Sequence, residues 1–470
     1  MTADRELRDR LDRLRKNFER SAPGYEQRRK ALANLAQALK THQDALVQTV
    51  DADFGGRPHA ETMLLELFPL HDQIRHARRS LRGWMRRRSV RSPWFLLPAR
   101  AFWQYQPLGV AGIIGAWNYP ILLTLGPAID AIAAGNHIML KPSELAPRTA
   151  GVIAQILQDA FSPDCADCVT GGPEVAAAFS ALPFDHLFFT GSTRVGHMIM
   201  QAAARNLTPV TLELGGKSPA IIHESYSLER AVGRIMTAKL YNAGQTCVAP
   251  DYLLLPAGRE AAFEELARKT VAGLYPELPD NSDYTRIVSH RHRARLLDLI
   301  ADAEAKGARV VRLARDGAGE EDKLVAPTLL FGVTDGMMVM QEEIFGPLLP
   351  VVPYRELDEA IVYVNDRPRP LALYYFDNDR GRQDHVLANT ISGGVTINDC
   401  IYHLAQHNLP FGGVGPSGMG QYHGLDGFVT FSKKRPVMVQ RNLAGTALLR
   451  APWRGRQWLL RTMLRIASRR

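Results

Sequence analysis

Between residues 110 and 213 the chain alternates short apolar runs with amphipathic stretches, and this alternation limits the possible folds more than any other feature. The apolar runs predict strands at 110–115, 137–140, 168–170, 186–189 and 209–213. Helices are predicted between them, at 121–134, 147–161, 174–180 and 194–205. Strands that are separated by helices form parallel sheets with right-handed crossovers. The pattern therefore predicts a doubly wound α/β domain, whose ligands bind beyond the carboxyl ends of the strands.

The flanking regions carry different patterns. Residues 7–85 have the apolar periodicity of helices, with a break at the Gly-Gly-Arg-Pro sequence of 55–58. Residues 89–106 are aromatic, β-prone and interrupted by prolines, which predicts a projecting hairpin. From Gly216 onward the α/β alternation repeats, so we expect a second domain of similar type within the 470 residues.

The composition is that of a soluble globular protein, with 46% apolar and 22% charged residues. Four cysteines are too few for a disulfide framework, and the charged segment 1–20 lacks the apolar stretch of a secretion signal. We therefore expect a reducing, cytoplasmic location. Residues 107–140 are apolar, but polar residues and prolines interrupt them before the roughly 20 residues that a bilayer requires.

The net charge of +9 raises nucleic acid and membrane as partners, but the excess is local. Residues 441–470 carry eight arginines and no acidic residue, which accounts for nearly all of it. A second basic run, at 75–91, is interpreted as a solvated helix face that leads into a loop. Neither run has aromatic interleaving or zinc-finger spacing, so no nucleic-acid partner is expected.

Three short segments carry side chains suited to covalent catalysis. Cys247 stands among small residues on a glycine-containing turn, as a reachable nucleophile would; a buried, inert cysteine is the alternative. Glu213 ends a predicted strand, so its carboxylate is either a general base in the ligand crevice or a solvated strand end. Asn118 follows another strand and is either an amide donor to an oxyanion or a turn residue.

These segments resemble those of the aldehyde dehydrogenase superfamily, over about residues 32–440. The shared motifs are LELGGK (212–217), GQTC (244–247), KPSE (141–144), FTGSTRVG (189–196), EEIFGP (342–347) and PFGGVG (410–415). Cys247 follows Glu213 by 34 residues, which is the spacing of that family. Ala116 stands where the family usually has a proline before Trp-Asn, with little expected consequence because Asn118 is kept.

The resemblance implies a reaction in which a thioester forms on the protein. Cys247 attacks the aldehyde as a thiolate, while Asn118 and the backbone N–H of Cys247 stabilise the resulting oxyanion. Glu213 then activates the water that hydrolyses the thioester. The implied product is the carboxylic acid, and no metal is required.

The resemblance also implies binding of NAD, with NADP possible. Lys141 and Glu144 are expected at the adenosine ribose, and Glu343 and Phe345 at the nicotinamide. The other expected cofactor contacts are Trp117, Ser143, Gly191, Ser192, Thr193 and Gly196, with the pyrophosphate held at a helix N-terminus. NAD is favoured because the Glu144 carboxylate can bond a ribose 2′-hydroxyl and repels a 2′-phosphate.

Further segments resemble the class 3 branch of this family and, within it, coniferyl aldehyde dehydrogenases. They are ADFG (52–55), QIRHARR (73–79), PLALYYF (370–376), SGGVTIND (392–399), DCIYHL (399–404) and GMGQYHG (418–424). This implies aromatic or medium-to-long apolar aldehydes as substrates. The alternatives are a membrane-associated fatty aldehyde dehydrogenase, a CoA-acylating enzyme and a non-catalytic scaffold; Glu213 argues against the CoA-acylating enzyme, and intact Cys247, Glu213 and Asn118 argue against the scaffold.

The expected architecture is the aldehyde dehydrogenase fold, a Rossmann-like α/β domain that binds NAD joined to a second α/β domain. We assign 1–88 and 107–213 to the NAD-binding domain and 214–430 to the catalytic domain. Residues 89–106 and 431–440 are assigned to a small β element through which a homodimer forms. The tail, 441–470, contains an amphipathic helical pattern with Arg461, Arg465 and Arg469 on one stripe. Packing on the body or on a partner copy is favoured over peripheral contact with an anionic membrane through 445–470.

Three other patterns are set aside. Gly413–Gly418 satisfies the G-x-G-x-x-G pattern but holds Pro416 and precedes no βαβ unit, so we expect a loop near the site. Cys165 and Cys168 lack the context of a redox pair. His403 and His407 have metal-like spacing but no evident third ligand.

Overall fold

A computed structural model of the chain describes residues 2–315, 322–442 and 444–468. The first part is helical, as the periodicity predicts. It contains α1 (Thr2–Arg20), α2 (Tyr25–Thr41), α3 (Gln43–Phe54), α4 (His59–Thr62) and α5 (Phe68–Trp84), with a π-helical turn (Met63–Leu67) before α5. Gly55 ends α3 in the left-handed region at φ 69°, which confirms the break at 55–58.

A three-stranded sheet follows from the predicted hairpin. Its strands are β1 (Arg88–Val90), β2 (Arg100–Pro107) and the late strand β16 (Ser432–Val439). β2 lies in the middle and pairs antiparallel with both neighbours. The hairpin and its third strand, expected near 433–440, are thus confirmed.

The alternating region forms a parallel sheet. Its strands are β3 (Val110–Ile114), β4 (His137–Lys141), β5 (Ala166–Cys168), β6 (His186–Thr190) and β7 (Val210–Glu213). The helices between them are α6 (Leu122–Ala134), α7 (Pro147–Ala160), α8 (Pro173–Ser180) and α9 (Thr193–Ala204). The order is β7-β6-β3-β4-β5, with every pair parallel, so the doubly wound arrangement is confirmed.

The prediction of a strand at 168–170 was displaced by two residues. Ala166 to Cys168 pair with Ile138 to Leu140, and the ladder ends there. Val169 is buried, but its N–H makes only one further hydrogen bond, to the carbonyl of Leu140. The first and last residues of so short a strand depend on how far the adjacent strand β4 extends, and the local sequence does not encode this.

A second α/β unit follows, as the repeated alternation of apolar runs and amphipathic stretches after Gly216 predicts. Its strands are β8 (Pro219–Ile222), β9 (Tyr252–Pro256), β10 (Arg309–Arg312), β11 (Thr328–Phe331), β12 (Leu348–Tyr354), β13 (Ala372–Phe376) and β14 (Gly394–Ile397). Its helices are α10 (Leu228–Leu240), α11 (Glu260–Leu274), α12 (His290–Ala305), α13 (Met338–Gln341), α14 (Leu357–Asn365) and α15 (Arg380–Asn389). The order is β10-β11-β12-β9-β8-β13-β14, with only the edge strand β10 antiparallel.

The chain then returns to the first sheet, which differs from the expected division at residue 430. The short strand β15 (Gly418–Met419) pairs antiparallel with β7, and α16 (Gly424–Thr430) packs on α5 and α6. Residues 418–430 therefore join the first unit by contact, although they come after the second in sequence. A two-residue strand has no periodicity of its own, so pattern analysis could not place it. The assignment of domains otherwise stays a prediction.

The tail contains a 3-10 turn (Gly445–Leu449) and α17 (Gln457–Ala467), so the helix predicted there is confirmed. Arg469, the last residue of its predicted basic stripe, lies outside the described residues. Trp458 and Leu464 on α17 are 67% and 69% exposed. Over the described part of the chain, no helix combines the length and apolar character needed to cross a bilayer.

Candidate active site

Cys247 lies on a strained loop between α10 and β9. After α10 ends, Asn242 and Ala243 adopt left-handed φ values of 53° and 50°, and Gly244 follows at 76°. Each non-glycine residue in this region costs about 1–3 kcal/mol, so surrounding contacts must hold the loop. Gln245 supplies several of them: its side chain donates to the carbonyls of Asn242 and Arg286, and accepts from the N–H of Val288.

Cys247 as a residue is of intermediate exposure, whereas Thr246 and Val248 on either side are buried. This exposure favours a reachable cysteine over one sealed in the core, and the role of its thiol stays a prediction. Burial, together with the charges of Glu343 and Glu213, raises the pKa of the thiol to about 12. The backbone N–H groups of Cys247 and Val248 act in the opposite direction by hydrogen bonding to the sulfur.

Glu213 is the last residue of β7, at the carboxyl edge of the first sheet. Its side chain is buried, and neither carboxylate oxygen has a hydrogen-bond partner among the described residues. Burial raises the pKa of Glu213 well above its ordinary value. The alternative of a solvated strand end is therefore wrong: the carboxyl is buried and has no hydrogen-bond partner among the described residues.

Asn118 follows β3 and is buried. Its amide donates to the carbonyl of Gln245 at 3.1 Å, and the Nδ2 of Asn242 donates to the Asn118 carbonyl at 2.8 Å. The Asn118 side-chain amide thus contacts the loop, residues 241–246, that leads to Cys247. An amide NH₂ has two N–H bonds, so one remains for an oxygen at the thiol.

Lys141 and Glu144 lie at the carboxyl end of β4. The Lys141 ammonium is buried and pairs with the half-exposed Glu144 carboxylate at 2.7 Å. Burial alone would raise the pKa of Glu144, but the hydrogen bond and charge of Lys141 hold it below its ordinary value. Ser143 is buried between them, and its hydroxyl accepts from the N–H of Leu145.

The loop after β6 begins α9. Ser192 caps this helix by accepting from the N–H of Val195, so the N-terminus of α9 opens on the same sheet edge. A Cβ on Gly191 would lie 2.4 Å from the Phe189 ring, and one on Gly196 would lie 2.8 Å from Leu214. Thr193 anchors the loop by donating to the carbonyl of Pro416.

Trp117, Glu343 and Phe345 lie where the two sheets meet. The Trp117 and Phe345 rings are 5.3 Å apart, and Phe345 has a left-handed φ of 51°. Glu343 is so close to Gly215 that a Cβ there would lie 2.1 Å from its carboxylate. Cys247, Glu343 and Phe345 precede the parallel neighbours β9 and β12, so this edge of the second sheet faces the carboxyl edge of the first.

The comparisons decide the family. A model of the aldehyde dehydrogenase family matches residues 14–437. The chain belongs to the aldehyde dehydrogenase family. It is therefore an NAD(P)-dependent enzyme that oxidises aldehydes, and the resemblance drawn from its motifs is confirmed.

The relatives of this aldehyde dehydrogenase include a probable coniferyl aldehyde dehydrogenase of Pseudomonas aeruginosa. That protein is 48% identical over 433 residues, which cover 92% of this chain and 90% of the relative. A substrate-bound Staphylococcus aureus AldH superposes with a TM-score of 0.92 at 36% identity, covering 97% of this chain and 99% of the other. A Mycobacterium tuberculosis aldehyde dehydrogenase in complex with NAD⁺ superposes with a TM-score of 0.84 at 27% identity, covering 92% of this chain and 90% of the other. Members named family 3 are also among the relatives, as the class 3 motifs predict.

The crevice between the sheets fits the dinucleotide. Gly191 and Gly196 stand where Phe189 and Leu214 leave no room for a Cβ, so the backbone at the α9 N-terminus carries no side chain at these positions, and the Lys141–Glu144 pair presents polar groups at the next strand end. The loop at 413–418 is no phosphate loop: it passes beside Glu213, and the Ser417 carbonyl accepts from the N–H of Leu214.

The two remaining sequence patterns are the pair Cys165 and Cys168 and the pair His403 and His407, and neither belongs to the candidate site. All four cysteines are free thiols, so Cys165 and Cys168 are not bonded to each other. No cluster of three or more potential metal ligands exists within 2–315, 322–442 and 444–468, and His403 instead hydrogen bonds to Thr396.

The sequence of this aldehyde dehydrogenase does not reveal the ionic contacts that support the residues around Cys247. A buried ionic cluster of Arg57, Glu61 and Glu66 lies beneath Asn118 and Asn242. We interpreted 55–58 only as a break between helices. The one available signal was Glu66 within the apolar run 63–67, because a carboxylate on an otherwise buried face needs a partner.

Proposed function

We propose that the enzyme oxidises an aromatic aldehyde such as coniferaldehyde to its carboxylic acid, through a covalent thioester on Cys247. The observation that carries this proposal is that the Cys247 thiol, on a residue of intermediate exposure, has the backbone N–H groups of 247 and 248 at its sulfur and feels the charges of both Glu343 and Glu213. Medium-chain and long-chain aldehydes are the second candidate, which the resemblance of the motifs to the class 3 branch implies.

In the first step, the Cys247 thiol releases its proton to solvent water, the thiolate sulfur adds to the aldehyde carbon, and the carbonyl oxygen becomes an oxyanion. The backbone N–H groups at 247 and 248, which approach the sulfur, and the Asn118 amide, which contacts the loop before Cys247, would donate to this oxygen. Because the raised thiol pKa disfavours the thiolate, these donors and a change in the surrounding charges must offset that cost.

The second step removes hydride from the thiohemiacetal and leaves a thioester. NAD(P) is the hydride acceptor when bound. Lys141, Ser143 and Glu144 would hold its adenosine ribose, Gly191, Ser192, Thr193 and Gly196 its pyrophosphate, and Trp117, Glu343 and Phe345 its nicotinamide end.

In the third step, Glu213 takes a proton from water as the water oxygen attacks the thioester carbon. The C–S bond then breaks, the acid leaves and the thiol is restored. The raised pKa of Glu213 makes its ionised form a stronger base than an ordinary glutamate. Its two unpaired oxygens leave it free to orient the water.

Support for an aromatic substrate comes from the surroundings of the thiol. Tyr119, Tyr374 and Tyr422 are buried near Cys247, whose charge adds to the burial that raises the pKa of each phenol. Aromatic rings bind other rings by stacked and edge-to-face contact. The coniferyl aldehyde dehydrogenases among the relatives point in the same direction.

Steady-state kinetics on coniferaldehyde, benzaldehyde and saturated aldehydes of increasing length, each with NAD and with NADP, test the proposal. We expect the highest kcat/KM for coniferaldehyde with NAD, because Glu144 keeps a charged carboxylate for a ribose 2′-hydroxyl. A long aliphatic aldehyde with the highest kcat/KM would favour the second candidate. A product that forms only with CoA would contradict thioester hydrolysis, and absence of NADH across the panel would contradict catalysis.

We also propose a cytoplasmic homodimer, joined through the three-stranded sheet. Free thiols at all four cysteines suit a reducing compartment. The hairpin of this sheet exposes Trp94 and Leu97, which are 54% and 53% accessible in the single chain. A second copy would remove these side chains from water.

The tail supports a further proposal, peripheral contact with an anionic membrane. No side chain described in α17 is buried; Leu459, Leu460 and Met463 are half-buried, whereas Trp458, Leu464 and Ile466 are exposed, so the body of the chain covers its apolar face only in part. Trp453 and Trp458 are exposed beside Arg454, Arg456 and Arg461. Exposed tryptophans next to arginines suit the interface of a bilayer.

Deletion of residues 445–470 distinguishes between the two proposed partners of the tail, an anionic membrane and a second copy of the chain. With vesicles that contain anionic lipid, we expect the full chain to pellet and the truncated chain to stay in the supernatant at low salt. Vesicles of neutral lipid and a high-salt buffer are the controls. Equal pelleting of both forms excludes membrane contact through the tail, and a lower molar mass of the truncated form by light scattering would assign the tail to the dimer instead.

A further inference from the structure

Arg57 is fully buried below the active-site loop, at the start of the break between α3 and α4. Its guanidinium contacts Glu66 at 3.0 Å and Glu61 at 3.9 Å, and it lies over the rings of Phe54 and Tyr119. Burial of three ionisable side chains together is costly unless each charge is compensated. Such a cluster therefore calls for an explanation beyond packing.

Each member of the cluster reaches a different segment of the proposed site. Arg57 Nη1 donates to the carbonyl of Asn118 at 3.1 Å. Glu66 accepts from the N–H groups of Ile121 and Leu122, three and four residues after Asn118. Glu61 accepts from the N–H of Asn242 at 2.6 Å. One ionic group thus holds both the oxyanion amide and the strained loop before Cys247.

The hydrogen bond from the Asn242 N–H to the Glu61 carboxylate shows how the loop before Cys247 is held. Asn242 and Ala243 are left-handed, and this conformation persists only if external contacts stabilise it. Glu61 binds the first of these residues with one carboxylate oxygen and the hydroxyl of Thr285 with the other. Burial raises the pKa of the Glu61 carboxyl, and the Arg57 guanidinium opposes part of that shift.

From these contacts we infer that Arg57 and Glu61 are positioning residues, which set the Asn118 amide and the backbone N–H of Cys247 around one oxyanion. The inference rests on the proposed roles of Cys247 and Asn118. Donors aimed at a developing charge lose much of their effect when displaced by a fraction of an ångström. The cluster therefore acts on the acylation step and leaves the dinucleotide crevice unaffected.

Rapid mixing of aldehyde and NAD with the full enzyme measures this step as the rate of the first NADH turnover. We expect Glu61→Gln to slow it about 10–100-fold, because the neutral amide loses its charge pairing with Arg57. The KM for NAD and the dissociation constant of NAD should stay within about twofold. Thr285→Val removes one bond to Glu61 without altering charge, and should slow the same step about threefold.

Arg28→Lys is the matched control, because Arg28 is also a buried arginine but bonds the carbonyls of Pro23 and Ala133 far from the loop. We expect it to lower the melting temperature without slowing the first turnover. Equal slowing in the Arg28 variant, or Glu61→Gln and Thr285→Val rates both within twofold of the native rate, would overturn the inference. If Glu61→Gln does not accumulate as folded protein, the Thr285 variant decides alone. An active Cys247→Ala enzyme would instead refute the proposed chemistry, whatever the cluster does.

Discussion

Cys247→Ala abolishes aldehyde oxidation, with a loss of kcat of about 10⁴-fold or more, if the thiol forms the covalent bond. Without a sulfur at this position the aldehyde carbon has no nucleophile, and the donors at 118, 247 and 248 have no oxyanion to stabilise. NAD binding should persist, because the dinucleotide contacts lie on other elements. The measurement is NADH formation under saturating aldehyde, together with titration of NAD binding.

Cys165→Ala is the matched control for that variant. Cys165 is also a partly covered free thiol, but it lies between α7 and β5, where it accepts from the Asn17 amide. Its replacement should leave kcat within about twofold of the native value. Residual activity above about a tenth in the Cys247 variant would show that the reaction does not require a thioester at this residue.

Glu213→Gln should separate the two halves of the reaction. The amide is nearly the same shape as the carboxyl but cannot take a proton from water, so acylation continues while hydrolysis slows about 10²–10⁴-fold. One equivalent of NADH per enzyme should form rapidly, followed by slow turnover. Stopped-flow absorbance gives the amplitude, and mass spectrometry detects the acyl group on Cys247.

The control for the base is Glu174→Gln, an exposed carboxylate at the start of α8 in the same α/β unit. It should retain native steady-state turnover. If Glu213→Gln turned over at the native rate, Glu213 would not be the base. If instead its first turnover were as slow as its steady state, Glu213 would act before the thioester forms.

The order of elements could be predicted because it depends on local patterns. Apolar runs and the helices between them placed β3, β4, β6 and β7 within a residue or so of their observed bounds. The motifs predicted that Glu213 and Cys247 share one site, and the Glu213 carboxyl lies close enough for its charge to raise the pKa of the Cys247 thiol. The catalytic roles of these residues remain predictions.

What could not be predicted depends on contacts between distant segments. The left-handed conformation of Asn242 is held by Glu61, which lies 181 residues earlier. The pairing of β15 with β7 adds no periodicity to either segment. The high pKa of Glu213 follows from how completely other elements cover it, which a strand-end carboxylate in sequence does not reveal.

The return of β15 to the first sheet has a consequence for biosynthesis. The strand that carries Glu213 obtains its outer neighbour only from residues 418–419, and α16 closes over α5 and α6 only after that. A ribosome must therefore translate residues 418–419, more than 200 residues after Glu213, before the nascent polypeptide can complete the surroundings of that carboxyl. A nascent chain in which only the first α/β strands and helices have folded thus lacks part of the environment of Glu213.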